Sequence, residues 1–324
     1  MNNIKTILIL RTISVVVLGF IFLPTPVSAQ SVSLSLTPPI LEAVVKPGKN
    51  VTQTYTLTNG TNETVVLLNI VPFGAFDEFG NVVLGEDLEK YDPYNTRFWF
   101  KVQSPKVSLG GKFSLAPNAS QDIKLTINIP EDAIEGDYYF TLIFQTEPGE
   151  SLGVGQGSIS QVKIGSNILL TVSKEGMVDL QSKIEEFSTP KLIDSFSSLH
   201  YTVRVTNTGG CFFKPDGEIT VTSWFGKRTL TLAPLNVIAK SVRQINCIDG
   251  EKIVPCGLPK GFLLGPYKAT LKYKIAGLDK TFESEVTTFA IPVYVIFTFG
   301  TIFLLMGIFL KFRHKTRAKL PLDH

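Results

Sequence analysis

Three cysteines, three histidines, a run of acids with interleaved aromatics and one glycine-rich word are where this 324-residue chain could do chemistry. Nucleophilic catalysis needs a Ser or Cys beside a base that a third group orients. His314 and His324 fall in the C-terminal tail, and His200 opens a strand-like stretch where it reads as a surface residue. No Ser-His-Asp or Cys-His set can be assembled, so no catalytic residue is nominated and the chain is read as non-enzymatic. Cys211, Cys247 and Cys256 have neither CxxC spacing nor a nearby histidine pair, which speaks against zinc. Cys247 and Cys256 bracket a turn at Asp249-Gly250, and a disulfide closing that loop is expected in an oxidising compartment. Pairing of either with Cys211 stays open, and otherwise Cys211 reads as a buried thiol.

The word GVGQGS from Gly153 has the look of a phosphate loop, but that chemistry needs a following helix N-terminus. The alternating residues Val162 and Ile164 follow instead, so the segment reads as a strand connection without a cofactor. Asp77, Glu78, Glu86, Asp87, Glu89 and Asp92 supply oxygens that calcium could use, yet they lack the EF-hand order and read as a solvated acidic face. Among these acids stand Phe79, Tyr91, Tyr94, Phe98 and Trp99. Such rings stack on sugars or anchor a protein partner, and Phe79, Tyr91, Tyr94 and Trp99 form the candidate binding loop. The alternative is that Phe98 and Trp99 fill a core. Asn50, Asn59, Asn62 and Asn118 match N-x-Ser/Thr, which matters only in a host that glycosylates exported proteins.

The elements that position these residues are strands. Ile123, Leu125, Ile127 and Ile129 alternate with Lys124, Thr126 and Asn128, and Thr52, Thr54, Thr56 and Thr58 alternate with Val51, Tyr55 and Leu57. Period two with one wet face is the mark of a half-buried antiparallel strand. YYFTLIF from Tyr138 is more continuously apolar and reads as central. The order of features then repeats. YTLTNGT from Tyr55 is followed by LAP at Leu115 and GDYYFTLIF at Gly136; YTVRVTNTG from Tyr201 is followed by LAP at Leu232 and GPYKATLKY at Gly265. The expected fold is all-β: two tandem immunoglobulin-like antiparallel β-sandwiches followed by one C-terminal transmembrane α-helix. The sandwiches are placed at 30–174 and 175–288, with the break near Ser173–Met177. Copy one is enlarged before its LAP and copy two after it, and insertions of this kind lie in surface connections that carry contacts.

The flanks handle membranes. Lys5 and Arg11 precede the apolar ISVVVLGFIFL and the small-residue site Val27-Ser28-Ala29, so residues 1–29 read as an export signal. An uncleaved anchor is the alternative, but Pro24 and Pro26 interrupt the apolar run. Residues 289–310 carry no charge and are long enough to span a bilayer. Lys311, Arg313, Lys315, Arg317 and Lys319 follow in 311–324. Cations beside a span stay in the cytoplasm, which puts the N-terminal ectodomain outside the cell. The net charge is +3, but the tail carries five cations against Asp323 alone and the leader two, leaving −3 between them. The exposed part is mildly acidic, and no nucleic-acid partner is expected.

The stretch LTPPILEAVVKPGKNVTQTYTLTNGTNETVVLLNIVPF, continued by GNVV and by LAPNASQDIKLTINIPEDAIEGDYYFTLIF, resembles the peptidoglycan-binding domain of WxL-interacting surface proteins. The likeness covers most of Ser31–Val172 and extends to the order of leader, two sandwiches, span and basic tail. It implies a cell-surface protein whose partner is a cell-wall glycan or another surface protein, with no small-molecule cofactor.

Overall fold

Alternation with period two becomes strand almost everywhere in the computed structural model, which describes residues 33–60, 63–85, 92, 94–147, 161–176 and 179–317, with side chains as far as Lys311. The expected leader at 1–29 lies outside the described residues. The chain is mostly β, with one long apolar helix at its C-terminal end.

The N-terminal strands are β1 (Leu34–Thr37), β2 (Ile40–Val45), β3 (Asn50–Asn59), β4 (Thr64–Ala75), β5 (Val82–Leu84), β6 (Phe100–Val102), β7 (Lys112–Leu115), β8 (Ser120–Asn128), β9 (Gly136–Thr146) and β10 (Lys163–Val172). Pro38 and Pro39 separate β1 from β2. Proline cannot donate to a ladder, and here the chain changes sheet: β1 runs antiparallel to β3, whereas β2 runs parallel to β10. One sheet has the order β1-β3-β8-β6; the other has β2-β10-β9-β4-β5, with β7 on β4. YYFTLIF is central, as its unbroken apolar character predicts. The inward rows Tyr55 and Leu57 of β3, Ile123, Leu125 and Ile127 of β8 and Phe140, Leu142 and Phe144 of β9 share one core. The threonine row of β3 makes a hydroxyl ladder on the wet face. Thr52 meets Thr126 at 3.1 Å, Thr56 donates to Asp122 at 2.8 Å, and Thr58 meets Ser120 at 2.8 Å.

The second set comprises β11 (Ser182–Ser188), β12 (Leu192–Asp194), β13 (Leu199–His200), β14 (Thr202–Asn207), β15 (Pro215–Ser223), β16 (Gly226–Leu232), β17 (Val242–Gln244), β18 (Cys247–Asp249), β19 (Lys252–Val254), β20 (Gly257–Leu258), β21 (Gly265–Ile275) and β22 (Leu278–Ile291). Its sheets are β11-β14-β17, β12-β22-β21-β15-β16-β18-β19 and β13-β20. It has its own core around Val203, Val205, Ile219, Leu271 and Tyr273. Pro190 repeats the change of sheet seen at Pro38: β11 runs antiparallel to β14, and β12 runs parallel to the last strand, β22. Among the described residues, every strand pairing stays within one of the two sets.

The repeat is real in topology, but its register differs from the one the LAP words suggest. Buried Asn59, at the end of β3, donates through its amide to Leu115 and Ala116, and its N–H donates to the Ala119 carbonyl. Buried Asn207, at the end of β14, donates to Cys211 and Val237, and its N–H donates to the Ser241 carbonyl. Asn118 and Lys240, one residue before each of those carbonyls, both take a positive φ of 56°. The counterpart of LAPNAS is therefore VIAKSV from Val237. The second LAP only ends β16, and its match to the first is a coincidence of three letters.

The apolar helix also begins later than composition suggests. Phe289, Ala290 and Ile291 complete β22, where they pair with Leu192, Ile193 and Asp194 of β12, and Ala290 is fully buried. After Pro292, helix α1 (Val293–Arg317) begins, and Ile296 N–H bonds back to the Pro292 carbonyl at 3.0 Å. Its apolar part, Val293–Lys311, is the one described helix long and apolar enough to cross a membrane. Nineteen residues at helical rise extend about 28 Å, close to a hydrocarbon thickness.

Candidate functional site

The alternation of β9 divides GDYYF between two tasks. Tyr138 and Phe140 point into the first core, where Trp99 meets Tyr138 with ring centroids 4.9 Å apart and Phe100 meets Phe140 at 4.8 Å. Asp137 and Tyr139 point the other way, onto the second β set. Phe212 N–H donates to Asp137 Oδ2 at 2.5 Å, and Ala239 N–H donates to the Tyr139 hydroxyl at 2.9 Å. That hydroxyl in turn donates to Asp137 Oδ2 at 2.6 Å, while Thr171 donates to Oδ1 at 2.6 Å. The thiol of buried Cys211 adds a further bond to the same carboxylate. Burial pushes the Asp137 carboxyl above its ordinary value, and the donors from Thr171, Tyr139 and Phe212 oppose that. Burial also drives the Tyr139 phenol far up, helped by the Asp137 charge beside it, so it stays a donor at all physiological pH.

Around this polar centre lies an apolar seal of Phe73, Leu169 and Phe212, with Tyr139 and Ile238 packed against it. Two flanks extend the joint. On one, Glu42 of β2 accepts from Lys214 Nζ at 2.7 Å and from Asn236 Nδ2 at 2.6 Å. Burial works to raise the Glu42 carboxyl, but the Asn236 and Lys214 donors outweigh it and hold it below its ordinary value. On the other flank, the turn between β4 and β5 reaches across: Gln244 N–H donates to the Glu78 carbonyl at 2.6 Å, and the Glu78 carboxylate pairs with Arg204. Gly80, at φ +90°, lies so close to Arg243 that a methyl carbon there would stand 2.3 Å from its guanidinium. Arg243 donates to the Asn236 carbonyl at 2.7 Å, and its burial pulls its pKa down against the opposing charge of Asp77.

The candidate binding loop is thus two places. Phe79 sits exposed in the turn whose neighbours Glu78 and Gly80 clasp the second set. Tyr94 and Phe98 are exposed on and before a 3-10 turn at Thr96–Trp99, while Trp99 is half-buried against Tyr138. Core filling therefore holds for Trp99 and fails for Phe98, over whose ring the Arg97 guanidinium stands at 5.5 Å. Tyr91 lies outside the described residues, as do Glu86, Asp87, Glu89 and the Gly153 word. The solvated acidic face is corrected at two positions, Asp92 and Glu78. Asp92 is buried and accepts from the Thr96 N–H and hydroxyl at 2.6 and 2.7 Å, which builds the 3-10 turn. Glu78 belongs to the joint, while Asp77 stays in solvent and closes its own turn through Phe79 and Asn81. Among the described residues, no group of three or more His, Cys, Asp or Glu is placed to hold a metal.

Cys247 and Cys256 are joined, with Cα atoms 4.8 Å apart, tying the first residue of β18 to the residue before β20 within the second core. His200 Nε2 lies 2.8 Å from the Ser198 hydroxyl on the surface. Lys311 is exposed on α1; Arg313, Lys315 and Arg317 follow along its backbone, and Lys319 lies outside the described residues. Reading by sequence missed the joint. Its signal was an acid and a tyrosine on the outer face of a central strand, positions that a lone sheet leaves wet.

No family model matches the chain, and no curated protein matches it. Among solved structures it is similar to the class 5 fimbriae chaperone CfaA, at 12% identity over 80% of this chain and 100% of that chain, with a TM-score of 0.36. It is also similar to the E. coli chaperone DraB, at 14% over 80% and 98%, with a TM-score of 0.37. The complex of Salmonella enterica SafA pilin with the SafB chaperone matches at 11% over 80% and 99%, with a TM-score of 0.39.

Proposed function

We propose that this chain is a non-catalytic, single-pass surface protein whose ectodomain, two immunoglobulin-like sandwiches in tandem, engages the cell envelope. In this reading α1 spans the cell membrane, the β sets stand outside, and the basic residues from Lys311 remain in the cytoplasm. The partner is a cell-wall glycan or another surface protein. The resemblance of Ser31–Val172 to the wall-binding domain of WxL-interacting proteins supports the glycan.

The observation that carries the proposal is the joint. A hinge between freely moving modules would be wet and thinly bonded. Here half-buried Asp137, the Phe73–Phe212 seal and the Glu42 and Glu78 flanks hold the sets as one body. The exposed pair Tyr94 and Phe98 is thereby held at a set distance and direction from α1, which suits presentation of a contact surface to a fixed layer. The same rigidity favours a second reading, a structural spacer or accessory subunit of a membrane assembly.

The test is sedimentation of the full-length protein in nanodiscs with isolated cell-wall sacculi, beside the Tyr94→Ala/Phe98→Ala variant. Saturable binding that the variant loses supports the wall reading. Absence of binding by folded protein, together with a stable membrane complex on purification, would replace it with the accessory reading.

A further inference from the structure

The end of the second β set nearest α1 carries a cluster of exposed rings that neither the joint nor the binding loop uses. Trp224 and Phe225 form the tip of the β15–β16 hairpin and are 68% and 66% exposed. Phe196, at 53%, follows β12, and Phe262, at 56%, precedes β21; their ring centroids lie 5.6 Å apart. Three separate connections thus turn large apolar side chains outward at one end. Hairpin tips in water are ordinarily polar, and a contiguous apolar patch marks a contact surface.

The backbone places this cluster at the point where the chain enters its apolar helix. Only Pro292 stands between β22 and α1. Ser195 N–H donates to the Ile291 carbonyl at 2.9 Å, and Tyr294 N–H donates to Asp194 Oδ2 at 3.4 Å. Leu263 N–H donates to the Ser195 carbonyl at 2.8 Å, which carries the Phe262 loop along. The Trp224 ring stands edge-on to Phe289, with centroids 6.5 Å apart, and lies so close to Gly265 that a methyl carbon there would come within 2.3 Å of it. With no linker, these loops cannot stand away from whatever surface α1 enters. Arg228 and Lys260 fringe the rings and line, with Phe225 and Phe262, a cavity of about 250 Å³ between the two tips.

From this arrangement we infer that Trp224, Phe225, Phe196 and Phe262 insert into the interfacial layer of the bilayer that α1 spans, seating the ectodomain on the membrane in one orientation. The inference rests on α1 being a span. Indole and phenyl rings partition to the level of the lipid headgroups, and the fringe of Arg228 and Lys260 meets lipid phosphates there. The cluster acts as a foot. Together with the joint, it fixes the direction in which the first β set projects.

The test uses the full-length chain reconstituted into vesicles of equimolar phosphatidylcholine and phosphatidylglycerol, with acyl chains brominated either near the carbonyl or near the methyl end. The chain has two tryptophans, so Trp99→Phe isolates Trp224 and Trp224→Phe isolates Trp99. Flotation with the vesicles reads the span. The expected result is that the Trp99→Phe protein floats and loses most of its emission to the carbonyl-end bromines, less to the methyl-end bromines, while Trp99 in the Trp224→Phe protein keeps its emission. Should Trp99→Phe disturb folding, the difference between wild type and Trp224→Phe reports the same ring. Flotation without quenching of Trp224 overturns the inference and leaves the span standing, pointing to a protein partner on the rings. Equal quenching of Trp99 overturns it too, since the ectodomain then lies flat. Failure to float overturns both readings.

Discussion

The backbone N–H of Phe212 donates to the carboxylate of Asp137 across the boundary between the two β sets, at 2.5 Å and 75 positions apart in the chain. The same carboxylate receives Thr171 and Tyr139 from its own set, so one acid satisfies donors on both sides of the joint. Even a half-buried network of this kind is costly to leave half-made.

Replacing Asp137 by alanine strands the donors of Phe212, Thr171 and Tyr139. The expected loss is about 3 kcal/mol of joint stability. Amide exchange at Phe212 should accelerate, and thermal unfolding should separate into two transitions where wild type shows coupled ones. An unchanged exchange rate would mean that the apolar seal alone holds the sets together.

The two joint acids give opposite pH dependences. The folded-state pKa of Asp137 is raised from 3.8, so the folded form binds the proton more tightly. Its contribution is fully present below 3.8 and is lost as pH rises through the folded value. The folded-state pKa of Glu42 is lowered from 4.5, so its contribution is present above 4.5 and is lost as pH falls through the folded value. Denaturant midpoints measured across the acid range should therefore fall less steeply towards low pH in Glu42→Gln than in wild type, the lowered carboxyls of Asp77, Glu186 and Glu285 keeping the remainder. In Asp137→Asn the opposing contribution is gone, so they should rise more steeply with pH than in wild type.

Gly80→Ala combines a backbone at φ +90° with a methyl group against Arg243. The side chain of Arg243 must withdraw, and the left-handed backbone adds strain, for a combined cost of about 1–3 kcal/mol. Equilibrium denaturation should show that loss. A Glu78→Ala change in the same background should cost less than it does alone, because both act on one clasp.

Removing the Cys247–Cys256 bond through the double alanine variant opens a loop with a sequence separation of 9. Loop-closure entropy puts the cost at about 2–3 kcal/mol, confined to the second β set. Because the joint is left intact, a coupled calorimetric transition shifted to lower temperature is the expected result; in the Asp137→Ala background the shift should fall on the second set alone.

Substituting Tyr94 and Phe98 by alanine removes rings that lie mostly in solvent. Stability should stay within about 0.5 kcal/mol of wild type, so any loss of binding by this variant reports contact rather than folding.

Much of the architecture is legible in residue order because strand periodicity is local. The alternation of Ile123, Leu125 and Ile127 tells which face is buried without reference to any partner strand, and the length of the uncharged run near Phe289–Leu310 tells that an apolar helix is there. The close spacing of Cys247 and Cys256 likewise makes their bond a short-range event. What a local pattern cannot carry is which outer face meets which. Asp137 and Phe212, Glu42 and Lys214, and Trp224 and Phe289 are brought together by pairings distant in sequence. The same limit explains the misplaced LAP equivalence, which the hydrogen bonds of Asn59 and Asn207 correct. It also explains Phe289–Ile291, apolar residues that finish a strand because β12 and β21 offer them ladder partners. Sequence alone determined strand faces, the apolar helix and the short covalent loop. Only the tertiary structure decided the joint between the β sets and the aromatic end beside the helix, because both are sums of long-range contacts whose members carry no mark of one another.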